Sequence, residues 1–420
     1  MSLRIAILLA ALAPTLGPAA RAADPPAPLI AAAGDIACDP AEPDFNHGNG
    51  TAATCRMRDT SNLLLGGGYD AVLLLGDNQY FSGTLAQYQA SFDPSWGRLR
   101  PLLRPTPGNH EYQTPGASGY FDYFGAAAGN RAQGWYSYDL GTWHVVVLNS
   151  NCDSVGGCGP DSAQLRWLAG DLAAHPRACT LAYWHHPRFS SGQHGDDATY
   201  DAFWRTLHAA GADVVLVGHD HDYERFAPQN PAGQLDPDYG IRQFVVGTGG
   251  RETRRFAAIR PNSEVRNDQD LGVLQLRLRP DGYDWEFLPV PGGAFTDRGS
   301  GGCHNPPEAA SLSLKQGRFR AEATWRTADG ATGTAKAAAP AADGSGLLWF
   351  FSPDNWELLV KVIDGCGFNN RYWVFAAGTT NVAYTLTVTD TRTGRIVRYE
   401  NPLGQRSPAV TDINAFATCP

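Results

Sequence analysis

Five short runs of the chain combine residue types that could hold metal ions: Gly34-Asp35, Gly76-Asp77-Asn78-Gln79-Tyr80, Gly108-Asn109-His110-Glu111, Trp184-His185-His186-Pro187 and Gly218-His219-Asp220-His221. A carboxylate such as Asp77 can bridge two cations through its two oxygens, and oxygen donors suit hard or borderline metals. A phenolate such as Tyr80 is a rarer ligand, suited to a strongly Lewis-acidic ion such as ferric iron. Imidazole, carboxylate and amide oxygen in one set fit iron, zinc or manganese. Four of the runs open with glycine, which lets the backbone turn close to a metal.

Ligands of this kind need rigid elements behind them. Apolar runs at Leu29–Ala33, Ala71–Leu75, 144–148, 180–184 and Val214–Val217 read as strands. Between them, 161–174 reads as a helix capped by Asp161, with Leu165, Leu168 and Leu172 on one face. The segment 197–210 reads as a second helix. Runs at 241–246, 273–278 and 283–288 alternate as half-exposed strands do. The mixture predicts central sheets flanked by helices.

The ordered set resembles the purple acid phosphatase branch of the metallophosphoesterases. That pattern reads Gly-Asp-x-Gly, Gly-Asp-x-x-Tyr, Gly-Asn-His-Asp/Glu, Val-x-x-His and Gly-His-x-His. The resemblance covers residues 29 to about 302 and departs at Ala37 and Ala182, neither a ligand position. It implies an α/β fold, the four-layer αββα metallophosphoesterase sandwich. Carried over residue by residue, it implies Asp35, Tyr80 and His221 on Fe(III), and Asn109, His185 and His219 on a divalent ion (Zn, Mn or Fe). Asp77 would bridge the two.

The same resemblance implies hydrolysis of a small phosphate monoester by in-line attack of a metal-bound hydroxide. His110 and His194 match its catalytic histidines. His194 is expected to protonate the leaving alcohol, and His110 to steady the transition-state oxygens. Around them, Asp220 and Asp222 are expected to orient the His219–His221 loop, and Glu111 to orient Asn109. His186 reads as loop structure or pocket lining, His144 and His208 as packing, and His175 as a helix end. Two rivals stand beside this reading: a phosphodiesterase on the same scaffold, and a secreted binding or adhesion protein with a structural metal site.

The chain has 420 residues and a formal net charge of −9. Residues 1–22 read as a signal peptide: Arg4, an apolar stretch over 5–13, and the small-x-small site Ala20-Arg21-Ala22. Its removal takes away Arg4 and Arg21, moving the charge to −11, and predicts a secreted protein, extracellular or periplasmic, with no membrane span. An acidic chain poor in lysine excludes nucleic acid as a partner, so an anionic substrate must be drawn by bound cations. Eight cysteines fit disulfides in an oxidising compartment. Nearness suggests Cys38 with Cys55 and Cys152 with Cys158. Cys366 with Cys419 would close the C-terminal part and leave Cys179 for Cys303, though roughly a hundred pairings are open to eight cysteines.

Composition shifts at Arg298–Gly302 and again at Pro306-Pro307, which reads as a linker. The expected division is a catalytic domain over 23–302, a linker over 303–310 and an accessory domain over 311–420. In the last part, Phe319, Ala321, Ala323 and Trp325 share one face of a strand, and further alternating runs predict a small all-β sandwich. Trp349, Phe350, Phe351 and Trp373 read as its core, with a sugar-binding platform as the lesser alternative. Whether this domain meets a surface, a glycan or a protein stays open.

Overall fold

A computed structural model describes residues 27–175, 179–304, 311–315, 317–352 and 355–419. The segment 1–22 read as a signal peptide, and Pro306-Pro307, lie outside the described residues. Up to residue 304 the strands are β1 (Leu29–Ala33), β2 (Ala71–Leu75), β3 (Leu103–Thr106), β4 (Tyr136–Leu140), β5 (Trp143–Val147), β6 (Cys179–Tyr183), β7 (Val214–Val217), β8 (Tyr223–Phe226), β9 (Arg242–Val246), β10 (Ser263–Asn267), β11 (Gly272–Arg279), β12 (Gly282–Pro289) and β13 (Arg298–Gly302). They form two sheets, ordered β13-β12-β11-β1-β2-β3 and β10-β8-β9-β7-β6-β5-β4. Strands β1, β2 and β3 are parallel neighbours in the first sheet, as are β5, β6, β7 and β9 in the second.

Strand β5 shows why its sequence is apolar at every second position and in between. Val145 and Val147 join the core shared with Leu73, Leu74 and other residues of the first sheet. Val146, between them, faces Leu165, Leu168, Phe203, Trp204 and Leu207 of the helices Ala163–Ala174 and Asp201–Ala209. On the far side of the first sheet, Met57, Tyr88, Phe92, Trp96 and Phe124 come from short helical segments. The layers are helix, sheet, sheet, helix: an αββα sandwich. Parallel strands covered on both faces have no polar side, so they read as unbroken apolar runs.

Three expectations need correction. The helix after β5 is capped by Ser162, whose Oγ accepts from Leu165 N at 3.2 Å, and Asp161 lies outside the cap. The segment 197–210 opens with a 3-10 turn, Ala198–Tyr200, capped by Asp197, before the helix proper. Arg298–Gly302 is not a linker but an edge strand paired to β12. Its glycines have a packing cause: a Cβ at Gly299 would lie 2.4 Å from the Trp285 ring, and one at Gly301 2.5 Å from Tyr283.

All eight cysteines are paired, Cys38–Cys55, Cys152–Cys158, Cys179–Cys303 and Cys366–Cys419. The third bridge joins the start of β6 to the residue after β13, tying one sheet to the other. Beyond residue 311, two five-stranded sheets enclose a separate apolar core containing Phe319, Leu348, Val360, Leu386 and Phe416. This is the expected all-β sandwich. Of the four aromatics expected in the core, only Phe350 joins it; Trp349 is buried outside it, Phe351 is 51 % exposed and Trp373 is half-buried. Leu348 and Phe350 point into the core, while Trp349 between them is covered on the other face by Lys336, whose Nζ lies 5.0 Å from its ring, so the strand alternation holds through this run. Among the described residues, no helix is long and apolar enough to cross a membrane.

Candidate metal centre

Each of the seven expected ligands lies just past the C-terminal end of a parallel strand. Asp35 follows β1, Asp77 and Tyr80 follow β2, Asn109 follows β3, His185 follows β6, and His219 and His221 follow β7. Because these strands are neighbours in their sheets, their five loops meet at one edge of the sandwich.

There the donor atoms fall into two sets. In the first, Tyr80 Oη lies 2.9 Å from Asp35 Oδ1 and 3.1 Å from His221 Nε2. In the second, His185 Nε2 lies 3.1 Å from Asn109 Oδ1 and 3.2 Å from His219 Nδ1. Asp77 Oδ2 belongs to both, at 3.2 Å from Tyr80 Oη and 3.3 Å from His185 Nε2. The close approach depends on the glycines that open the runs. A Cβ at Gly108 would sit 2.1 Å from Asp77 Oδ1, and Gly76, at φ +86°, has His185 Nδ1 at 2.6 Å from where its Cβ would be. Asp35, Asp77 and His219 themselves have φ of +59°, +45° and +72°, strain of the kind stored at functional sites.

These donors fit a cation. His185 Nδ1 donates to Leu75 O at 2.9 Å, so whenever the ring is neutral its Nε2 lone pair faces two oxygens and another imidazole nitrogen. Acceptors facing acceptors are costly when buried, and a metal ion between them removes the conflict. The titration behaviour carries the same message. Burial pushes His185 down, but Asp77 and Asp35 prevail and raise it to about 9. For His221, burial is likewise outweighed by Asp35 and Glu252, again reaching about 9. Burial would raise Asp77, yet His185, His110 and His219 hold it well below the usual carboxylate range. Tyr80 is pushed well above the usual phenol by burial first and then by Asp35 and Asp77, so its phenolate form requires added positive charge.

The two expected catalytic histidines lie on the rim. His110 Nε2 is 3.8 Å from Asp77 Oδ2, and its Nδ1 donates to Phe81 O at 2.6 Å. The His194 ring packs 3.9 Å from that of His219, and its Nδ1 donates to Asp220 Oδ1 at 2.8 Å. Asp220, expected to orient the ligand loop, therefore holds His194 instead. Glu111, expected to orient Asn109, instead accepts from the backbone of Asn78, Gln79 and Gly108, clamping the β2 and β3 loops together. Burial, then Asp77, pushes its carboxyl up to about 7. His186 is held by Ser150 Oγ at 2.7 Å and stacks on Tyr200. Burial first, then His185, drives it down to about 3, which keeps it neutral.

Two neighbours carried no signal in the sequence. Glu252 Oε1 lies 3.3 Å from His221 Nδ1, and the Arg251 guanidinium lies over the Tyr80 ring at 5.1 Å. Both come from the segment after Gly249-Gly250, far from any of the five runs.

Residues 30–223 match the family described as Calcineurin-like phosphoesterase. The chain is 24 % identical over 245 residues to "Probable inactive purple acid phosphatase 1" of Arabidopsis thaliana, covering 49 % of this chain and 39 % of that protein. It is 30 % identical over 294 residues to acid phosphatase type 7 of Homo sapiens, covering 60 % and 61 %. The chain thus spans about half the length of the curated relatives it matches. A purple acid phosphatase from yellow lupin (Lupinus luteus) seeds shares the fold, with a TM-score of 0.54 at 18 % identity over 65 % of this chain and 53 % of that one.

Proposed function

We propose that this chain, a purple acid phosphatase-like metallophosphoesterase, hydrolyses phosphate monoesters with two bound metal ions. Asp35, Tyr80 and His221 would hold Fe(III), and Asn109, His185 and His219 a divalent zinc, manganese or iron ion. The observation that carries this reading is the position of Asp77 Oδ2, within 3.3 Å of a donor in each set. When bound, the two cations supply charge for the phosphate oxygens and make water nucleophilic near neutral pH. His110, with Nδ1 committed to the Phe81 carbonyl, turns Nε2 toward the shared carboxylate and the substrate's oxygens. His194, pinned at Nδ1 by Asp220, is left with Nε2 to protonate the departing alcohol.

Four disulfides support a secreted protein, and the domain division proposed is 23–302 for catalysis, 303–310 as linker and 311–420 as accessory sandwich. Metal analysis with a side-by-side assay of an aryl phosphate and a bis-aryl phosphate tests the function. Two metals per chain and faster monoester cleavage are expected. Faster diester cleavage would replace the phosphatase with the phosphodiesterase reading. A metal-loaded protein without turnover on either would make it a binding protein.

A further inference from the structure

Phe81 follows Tyr80 directly, and its ring is exceptional for this part of the chain. Among the described residues 27–304, every other Phe, Tyr and Trp is buried or half-buried, while Phe81 is 53 % exposed. It is nevertheless held in place. Its ring meets His110 edge to face at 4.8 Å and Tyr80 at 6.3 Å. Its carbonyl accepts the His110 Nδ1 hydrogen bond. The other nitrogen of His110 faces Asp77, the carboxylate common to both donor sets. An apolar ring open to water thus stands one imidazole away from the candidate reaction centre.

We propose that Phe81 is a specificity residue that stacks on an aromatic ring in the alcohol portion of the phosphate ester. The inference rests on the hydrolase reading above and narrows it to esters whose leaving alcohol carries a planar ring. Aromatic rings attract each other in offset or edge arrangements at 4.5–7 Å, beyond the gain from burying their area. A flat exposed face offers that geometry to a flat partner and much less to a flexible alkyl chain. The His110 hydrogen bond goes to the main chain of Phe81 and survives replacement of the side chain, whereas the ring contact with His110 does not. Loss of that contact acts on both esters alike, and loss of ring recognition changes their ratio.

The test compares benzyl phosphate with butyl phosphate, two esters of primary alcohols with similar leaving tendencies. Wild type should prefer the benzyl ester in kcat/KM, and Phe81→Ala should lower the benzyl-to-butyl ratio about fivefold, mainly through KM. Phe81→Leu, apolar but not flat, should lower it comparably, and Phe81→Trp should retain the preference. An unchanged ratio in Phe81→Ala, or equal losses on both esters, overturns the proposal. If wild type hydrolyses neither ester, the catalytic reading fails and the ring is judged by binding alone. Benzylphosphonate should then bind the metal-loaded wild type about fivefold more tightly than butylphosphonate, and Phe81→Ala should abolish the difference. Equal affinities in wild type overturn it.

Discussion

Asp220→Asn isolates the contribution of a side chain that hydrogen-bonds Ser190 and His194 and none of the expected ligands. The Asp220 carboxylate is buried and accepts from Ser190 Oγ at 2.5 Å, His194 N at 3.0 Å and His194 Nδ1 at 2.8 Å. An amide of the same size must turn its NH2 toward one of these donors and loses the charge that strengthens the others. Hydrogen bonds to a charged group contribute about 1.5–3 kcal/mol, against about 1 for neutral ones. The His194 side chain is 43 % exposed, so water recovers part of the loss. The expected loss in its placement is roughly 1–2 kcal/mol, or about 5- to 30-fold in any step that needs its proton. The assay is kcat for butyl phosphate and for 4-nitrophenyl phosphate in wild type, Asp220→Asn, His194→Ala and the double variant. A nitrophenolate leaves without help, so only the butyl ester should slow by the full factor. The double variant should be no slower than His194→Ala alone. Equal slowing of both esters, or additive effects in the double variant, would refute the coupling.

Other outcomes follow from the geometry. Gly108→Ala places a methyl 2.1 Å from Asp77 Oδ1 and should reduce bound metal by elemental analysis, with about 1–3 kcal/mol lost in unfolding free energy. If the first set holds Fe(III), Tyr80→Phe should bleach the visible absorption while leaving a colourless, folded protein. Opening the Cys179–Cys303 bridge, which spans 124 residues, by the double Ser variant should lower stability by about 2–5 kcal/mol in denaturant titrations. His144 is buried, which pushes its pKa down, but Asp171 and Asp139 prevail and raise it. A raised histidine stabilises the fold fully below its unfolded pKa of about 6.5, and that contribution fades as pH climbs through the folded value. NMR titration of His144 should find the elevated pKa in wild type and a lower one in Asp171→Asn.

What could be read from the sequence was what burial leaves in it. Strands β1, β2, β6 and β7 are enclosed on both faces, so their apolar runs announce them, and the ligand runs follow at their ends. Strands β3, β4 and β10 escaped because each is the outermost strand of its sheet. An edge tolerates Pro105 in β3 and the polar Ser263–Asn267 run of β10, where a central strand would not. Asp161 and Ser162 are both good caps side by side, and only the hydrogen bond to Leu165 chooses between them. The expected ligand set came from the resemblance of the five runs taken together, and the grip of Asp220 on His194 had no such signal. It depends on how the 190–194 loop folds back, and nothing within one run of residues reports that. Glu252 and Arg251 reach the site only because β9 ends beside β7.

The seven expected ligands divide unevenly between the sheets. Asp35, Asp77, Tyr80 and Asn109 belong to the first, and His185, His219 and His221 to the second. Neither donor set is complete within one sheet: the first borrows His221 and the second borrows Asn109. A cation in either set is therefore a rivet through the seam between two half-sandwiches. Its binding free energy is also cohesion between them, which grows by about 4 kcal/mol when free metal reaches a thousand times its dissociation constant. Sliding one sheet past the other would separate both sets at once, so the precision of the reaction centre and the alignment of the whole αββα body are one and the same mechanical property.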